Sequence, residues 1–212
     1  MIIEDMPKLL SPFKRAIING RYIVTPEIEP EYEWVFNDEN VLAIEKLDGT
    51  NVSIIIEKGK ITRVFNRTGE VPFFGSGKRF IIEGVMNSYE RGYCNFTDGQ
   101  YFGECVGPRI QGNPYNLTKP MWIPFNTFCK KHLRYKSWGK YPKDFNTIST
   151  WFKELLPLYS LQLHGKPENK HKYFVEGIVF THPDGRMAKI RKDMFDWYTG
   201  KQHKEEEQEN GT

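Results

Sequence analysis

Glu45-Lys46-Leu47-Asp48-Gly49-Thr50-Asn51 lies where one apolar run ends and another begins. Val41 to Glu45 reads as a short strand. Val52 to Glu57 and Ile61 to Phe65 flank Lys58-Gly59-Lys60 and read as a hairpin. The quoted stretch is therefore a turn emerging from a sheet, with a lysine at its head and an acid, a glycine and two short polar residues behind it. Alone, K-x-D-G is a weak signal, since residue frequencies produce it in roughly one chain of this length in twenty. The rest of the chain gives it weight.

Tyr101-Phe102-Gly103-Glu104 sets a carboxylate inside an apolar strand, Gln100 to Val106. Phe174-Val175-Glu176-Gly177-Ile178-Val179-Phe180 does the same with a single glutamate. A carboxylate in such a run is costly to desolvate unless it is paired or binds a cation, so two of them point to a site. Ala188-Lys189-Ile190-Arg191-Lys192 closes the series, and strand alternation puts Lys189 and Arg191 on one face. Tyr173 to Phe180 and Arg186 to Arg191 form a second hairpin around His182-Pro183-Asp184-Gly185, which is strong turn chemistry. A two-residue loop sets Glu176 across from Arg191, and a three-residue loop reverses that parity.

Between these motifs, Gly77 to Arg91 carries Ile81, Val85 and Tyr89 at helical spacing, and Thr147 to Leu156 reads as a helix stopped by Pro157. Antiparallel strands with interspersed helices indicate an α+β fold. The chain contains no G-x-G-x-x-G and no Walker A sequence, which excludes the Rossmann and P-loop modes of phosphate binding.

K-x-D-G, then Arg67 in Asn66-Arg67-Thr68-Gly69, then F-G-E, E-G-I-V and K-I-R, in that order, resemble the covalent nucleotidyltransferase superfamily of DNA ligases, RNA ligases and messenger-RNA capping enzymes. The Gly49-Thr50-Asn51 that follows the lysine is most similar to the double-strand-sealing and RNA-editing type of RNA ligase. The motifs span Glu45 to Arg191. The resemblance implies an adenylyltransferase domain on antiparallel sheets, with ATP as AMP donor and Mg²⁺ or Mn²⁺ as the ion. Lys46 would take AMP from ATP and pass it to an RNA 5′-phosphate, which is then sealed to a 3′-hydroxyl. Asp48 and Gly49 complete the nucleotide-binding turn. Glu45 is expected by the adenine amine, Asn51 by the phosphate and its metal, and Arg67 at the ribose or the RNA end. Glu104 would hold the ribose hydroxyls, Glu176 the metal shell with Glu104 as a second metal candidate, and Lys189 and Arg191 the phosphates. Phe125 is the candidate ring on adenine, with Trp122 as runner-up. The last basic motif departs from the family in being K-x-R where many relatives carry two lysines. A minimal DNA nick ligase, a capping-type guanylyltransferase and a catalytically inactive RNA-end-binding module are the alternatives.

Composition agrees with this class. The 212 residues are 39% hydrophobic and 15% aromatic, enough for a core without disulfides. Cys94, Cys105 and Cys129 form no C-x-x-C pair, no stretch suits a membrane span, and a reducing cytoplasm, of a cell or of a virus's host, is the expected compartment. The net charge is +3. Residues 199 to 212 set two lysines against four glutamates and read as an acidic tail behind a domain of residues 1–198. Only 21 residues follow Arg191, leaving no room for the C-terminal domain of DNA ligases and capping enzymes, so a separate partner is expected to help recognise the RNA end or nicked duplex. Lys130, Lys131, Arg134, Lys136, Lys140 and Lys143 contain no acid among them and interleave with Tyr135, Trp138 and Tyr141. Charge for phosphates beside rings for bases suits RNA, so Lys130, Lys131, Arg134, Lys136 and Trp138 are the expected RNA contacts.

Overall fold

The computed structural model describes residues 3–75, 77–165 and 173–200. In chain order its elements are β1 (Phe13–Ile18), β2 (Arg21–Ile28), α1 (Trp34–Asn37), β3 (Leu42–Lys46), β4 (Thr50–Glu57), β5 (Lys60–Asn66), β6 (Gly69–Glu70), α2 (Arg79–Glu90), β7 (Gly99–Val106), β8 (Met121–Pro124), α3 (Lys130–His132), α4 (Phe145–Lys153), α5 (Leu158–His164), β9 (Gly177–Thr181) and β10 (Met187–Arg191). Strand pairing is antiparallel throughout the described residues, the α+β architecture expected from the sequence. Among these residues no helix is long and apolar enough to cross a membrane. From residue 201 on, the expected acidic tail lies outside the described residues.

The chain divides into two compact units, both drawn from the expected domain of residues 1–198. One holds the described residues of 1–8 and 47–132, the other those of 9–46 and 133–212. In the first, the sheet runs β6-β5-β4-β7-β8. Val52, Ile54 and Ile56 alternate onto one face and meet Ile81, Ile82 and Val85 of α2 in a buried cluster with Trp122. Tyr89, expected on the buried stripe of α2, is 51% exposed. Ser88 continues the stripe instead, its Oγ accepting from Trp122 N at 2.8 Å. The β4–β5 turn holds Lys58 and Gly59 at φ 52° and 71°, the left-handed geometry of a two-residue hairpin. Asp98 accepts from both of their amides at 2.8 and 3.0 Å, which steadies a lysine in a conformation it otherwise avoids.

In the second unit the larger sheet runs β10-β9-β3, and β1-β2 form a separate hairpin. Ala43, Ile178, Phe180, Ala188 and Ile190 pack from one face of the larger sheet against Phe36, Phe152 and Phe195. The hairpin turns on Asn19-Gly20, both in the left-handed region. Asp144 caps α4 by accepting from Thr147 N at 3.0 Å. That helix stops at Lys153 rather than running to Leu156. Pro157, expected to end it, instead stands at the start of α5, where its missing N–H costs nothing.

Candidate functional site

In the second unit, register decides what Lys46 stands beside. Lys46 pairs with Gly177, and Gly177 with Arg191. One step back, Ile44 pairs with Val179, and Val179 with Lys189. Cross-strand partners share a face, and so do alternate residues along a strand. Lys46, Lys189 and Arg191 therefore lie on one face of the sheet, with Ala43, Glu45, Ile178 and Ile190 on the other. The sheet also gains an edge that sequence reading missed. Glu45 N donates to Leu133 O and Tyr135 N to Ala43 O, each at 2.8 Å, and Arg134 bridges to Ile44. Arg134 thus joins the row of Ile44, Val179 and Lys189 on the cationic face.

Gly177 is required for this packing. A Cβ there would lie 2.2 Å from Ile190 O and 2.6 Å from Arg191 Cα, pushing β10 and its two cations away. Glu176 immediately precedes β9, which begins at Gly177 and not at Tyr173 as the sequence suggests. The loop after β9 holds three residues, Pro183 to Asp184 to Gly185, closed by His182 N donating to Arg186 O. Lys192, not Arg191, consequently stands opposite Glu176, its N–H donating to Glu176 O at 2.8 Å. The Glu176 carboxylate turns to the other neighbour and accepts from Lys46 Nζ at 2.6 Å, with 21% of the Lys46 side chain and 14% of the Glu176 side chain exposed. This is a charge-assisted bond in a partly dry setting. A carboxylate thus holds the Lys46 ammonium.

Alternation also corrects Glu45. It lies on the face opposite Lys46, 2% exposed, with Oε2 accepting from Tyr159 N at 3.0 Å at the start of α5. A helix start offers unsatisfied amides, and the carboxylate serves them rather than standing beside Lys46 to meet an adenine amine. Its Oε1 has no partner among the described residues. Burial pushes the Glu45 carboxyl up to about 8, against the pull of the Tyr159 and Leu158 amides and the charge of Lys192. Burial likewise brings Lys192 down to about 8, partly offset by Glu45.

In the first unit the remaining motif residues gather at one end of the five-stranded sheet. Asp48 N donates to Tyr115 Oη at 2.7 Å, and Tyr115 is fully buried, an anchor the sequence did not reveal. A Cβ on Gly49 would lie 2.3 Å from Cys105 O and 2.8 Å from Glu104 Cγ, so only glycine lets this turn rest on β7. Asn51 pairs directly with Glu104, and Glu104 with Ile123, which sets amide and carboxylate side by side on one face. Arg67 follows the last paired residue of β5, Asn66, and is exposed. Phe125 is half-buried at the first position of a π-helical turn, Phe125–Cys129, a rare geometry that tends to mark functional positions. Trp122 is removed as a stacking candidate. It is fully buried among Val52, Val85 and Cys105, with Nε1 donating to Val52 O at 3.0 Å.

The basic segment divides as well. Lys131, Arg134, Lys136 and Lys140 are exposed and Lys130 is half-buried. Lys143 turns inward, donating to Phe36 O at 3.0 Å, and burial lowers its pKa. The rings are not free platforms. Tyr135 is buried, its hydroxyl donating to Leu156 O at 2.7 Å, because alternation around Arg134 points it inward. Trp138 packs between Trp151 and Phe180, so the expectation that it stacks on a base is corrected. Tyr141 remains on the surface.

A family model described as RNA ligase matches residues 39–196 of the chain. Among curated proteins no match was found. Solved structures of Naegleria gruberi RNA ligase are similar at low identity. A mutant with ATP and Mn is 16% identical, with a TM-score of 0.49 over 88% of this chain and 62% of that one. A second mutant, with AMP and Mn, is 17% identical, with a TM-score of 0.47 over 87% and 60%. The enzyme with PPi is 15% identical, with a TM-score of 0.44 over 76% and 52%. This chain thus spans between half and two thirds of the length of the solved structures it matches.

Proposed function

The chain belongs to the RNA ligase family, and from that premise we propose that Lys46 is the nucleophile that carries AMP between ATP and an RNA 5′-phosphate. The observation that carries this reading is the cationic sheet face. Lys46 is held at 2.6 Å by Glu176, and Lys189 and Arg191 stand on the same face. In the first step Nζ attacks the α-phosphorus of ATP, a P–N bond forms, and the bond to pyrophosphate breaks. In the second, an oxygen of the RNA 5′-phosphate attacks the same phosphorus and the P–N bond breaks. In the third, a 3′-hydroxyl attacks the RNA phosphate and AMP leaves.

Lys46 must give up a proton before its lone pair can attack, and Glu176 Oε2 is the group placed to receive it. Glu176 has a second possible partner. Its oxygens are hard donors, and among the described residues no cluster of three or more His, Cys, Asp or Glu side chains is assembled to hold an ion. That set suits Mg²⁺ or Mn²⁺ bound by one or two carboxylates together with substrate phosphates. When bound, such an ion would supply neutralising charge at the triphosphate. Glu176 would hold such an ion together with the substrate phosphates, while the proton that Lys46 gives up passes to Glu176 Oε2 across their 2.6 Å contact. Lys189 and Arg191 hold phosphate oxygens as negative charge builds on the leaving pyrophosphate.

Asn51, Glu104, Arg67 and Phe125 keep the roles that the resemblance implies, toward phosphate, ribose, ribose or RNA end, and adenine. Substrates are RNA ends or a nicked duplex of the double-strand-sealing type, and end recognition draws on a separate partner. The buried thiols of Cys94, Cys105 and Cys129 suit a reducing compartment such as the cytoplasm. The test offers purified protein ATP or GTP with nicked RNA and nicked DNA duplexes. Sealing of RNA with ATP is expected. Preference for DNA, or labelling by GTP, overturns the assignment.

A further inference from the structure

The β1–β2 hairpin is strapped to the chain just past Arg191. Leu10 O, ahead of β1, accepts from Lys189 N at 2.8 Å. From β2, Arg21 Nη1 donates to Asp196 O at 2.9 Å, and its Nη2 donates to Phe195 O at 3.0 Å and to Asp193 O at 3.3 Å. The hairpin and the segment leading into it are thus tied to the middle of β10 and to the chain just beyond it. A register shift between Phe13 and Arg15 interrupts the β1–β2 ladder just before Arg15, the kind of irregularity that re-aims a side chain.

Arg15 is held in a way that its own hairpin does not account for. Its guanidinium lies 3.9 Å above the Tyr22 ring and donates through Nη2 to Tyr22 O. Its Nε is buried and has no acceptor among the described residues. Arg191 shares this condition. Its Nη2 meets Asp193 Oδ2 at 3.0 Å, while its Nε is buried and likewise without an acceptor. Burial lowers the Arg15 pKa, and the positive charge of Arg191 works in the same direction against Tyr22 and Asp193. Two guanidinium groups close enough to repel, each with an idle buried donor, are out of balance unless an anion completes them.

We propose that Arg15 and Arg191 together form a phosphoryl-binding subsite at the outer end of the row that starts at Lys46. This deepens, and rests on, the RNA ligase reading. The row runs Lys46, Gly177, Arg191 across the sheet, and Arg15 belongs to the hairpin tied to the outer strand at Lys189 and to the chain just past Arg191. If Lys46 bonds the α-phosphorus, the phosphates farther along ATP fall toward Arg191 and Arg15, where a planar guanidinium offers paired donors to phosphate oxygens. The Tyr22 ring fixes the plane of the Arg15 fork in advance. The phosphoryl group comes from ATP's pyrophosphate portion or from the RNA 5′-phosphate.

The test compares wild type with Arg15→Ala and Arg15→Lys in the full chain. Three readouts are taken: calorimetric binding of inorganic pyrophosphate, the KM for ATP in lysine adenylylation, and sealing of RNA supplied already adenylylated. With ATP as the source, Arg15→Ala weakens pyrophosphate binding and raises the ATP KM by about tenfold, the scale of one charge-assisted hydrogen bond, and sealing of adenylylated RNA is unchanged. With RNA as the source, only the last readout falls. Arg15→Lys keeps the charge and loses the Nε donor, so it falls between. A thermal melt is run for both variants, and the lysine variant is read if the alanine variant melts early. No change in any readout in a folded variant overturns the subsite. Pyrophosphate binding that depends on Arg15 in a protein that never adenylylates would uphold the subsite and defeat the ligase reading instead.

Discussion

The three-stranded and the five-stranded sheet each bury one apolar face, and their other faces differ in kind. On the three-stranded sheet the free face carries Lys46, Lys189, Arg191 and Arg134, with Glu176 as the acid among them. On the five-stranded sheet the face of Asn51, Ser53, Gln100 and Glu104 also carries Ile55, Phe102 and Ile123, with Arg63 paired to Glu70 toward the β6 edge. Net positive charge is suited to phosphates, whose charge changes during transfer. Amide, hydroxyl and carboxylate groups set among apolar side chains are suited to hydroxyls and ring nitrogens, which only need to be recognised. The division teaches that one sheet should govern rate and the other affinity.

The largest expected effect separates the two glutamates. Glu176→Gln should lower the rate of lysine adenylylation by about a hundredfold or more, since it removes a charge that acts at the reacting phosphate. Its thermal midpoint should shift by only a few degrees, because glutamine still accepts from Lys46 Nζ. Glu104→Gln should instead raise the KM for ATP with kcat near normal. Equal loss of kcat in both variants would erase the distinction between the sheets.

Next come the glycines that let strands approach. Gly177→Ala and Gly49→Ala each set a Cβ within 2.3 Å of a backbone oxygen. Overpacking of this kind costs about 1–3 kcal/mol. Denaturant unfolding should show a loss of that order for both, with adenylylation falling further in Gly177→Ala, whose clash displaces Arg191. Unaltered stability in either would mean that the close approach is not required.

A smaller effect concerns pH. The Glu45 carboxyl is raised to about 8 by burial. Between its ordinary range and about pH 8 the folded state therefore holds a proton that the unfolded state has lost, so this group's contribution to stability falls as pH rises through that window. Glu45→Gln should melt progressively higher relative to wild type from pH 5 to pH 8. Parallel melting curves across that range would show that Glu45 stays ionised in the fold.

The smallest expected effect lies on the exposed basic segment. Replacing Lys131, Lys136 and Lys140 with serine should weaken RNA binding several-fold and flatten its salt dependence, through lost counterion release, while adenylylation stays normal. Arg134 is left intact because it shares the face of Lys189. An unchanged salt slope would put the RNA surface elsewhere.

Much of this was legible in the chain itself. The turn at Lys46, the β4–β5 hairpin and the lone glutamate of β7 are local signals, and their elements form where the pattern puts them, whereas β9 starts only after Glu176. What stayed hidden depended on parity and packing. Glu45 and Lys46 are adjacent in sequence, yet pairing to β9 sends them to opposite faces. The loop after β9 holds three residues rather than two, which moves Lys192 opposite Glu176. Tyr135 and Trp138 look like platforms among lysines until the pairing of residues 133–135 with β3 turns Tyr135 inward. The β1–β2 hairpin carried its own signal in Asn19-Gly20 between apolar runs, and Arg15 gains its importance only from the strap to Asp193, Phe195 and Asp196.

The central claim is that Lys46 accepts AMP. The most direct measurement is the intact mass of the protein after incubation with ATP and Mg²⁺, followed by peptide mapping of the modified lysine. One added AMP, mapped to Lys46 and absent from Lys46→Ala, is the predicted result. An adduct on another lysine, or one that persists in Lys46→Ala, would contradict the account.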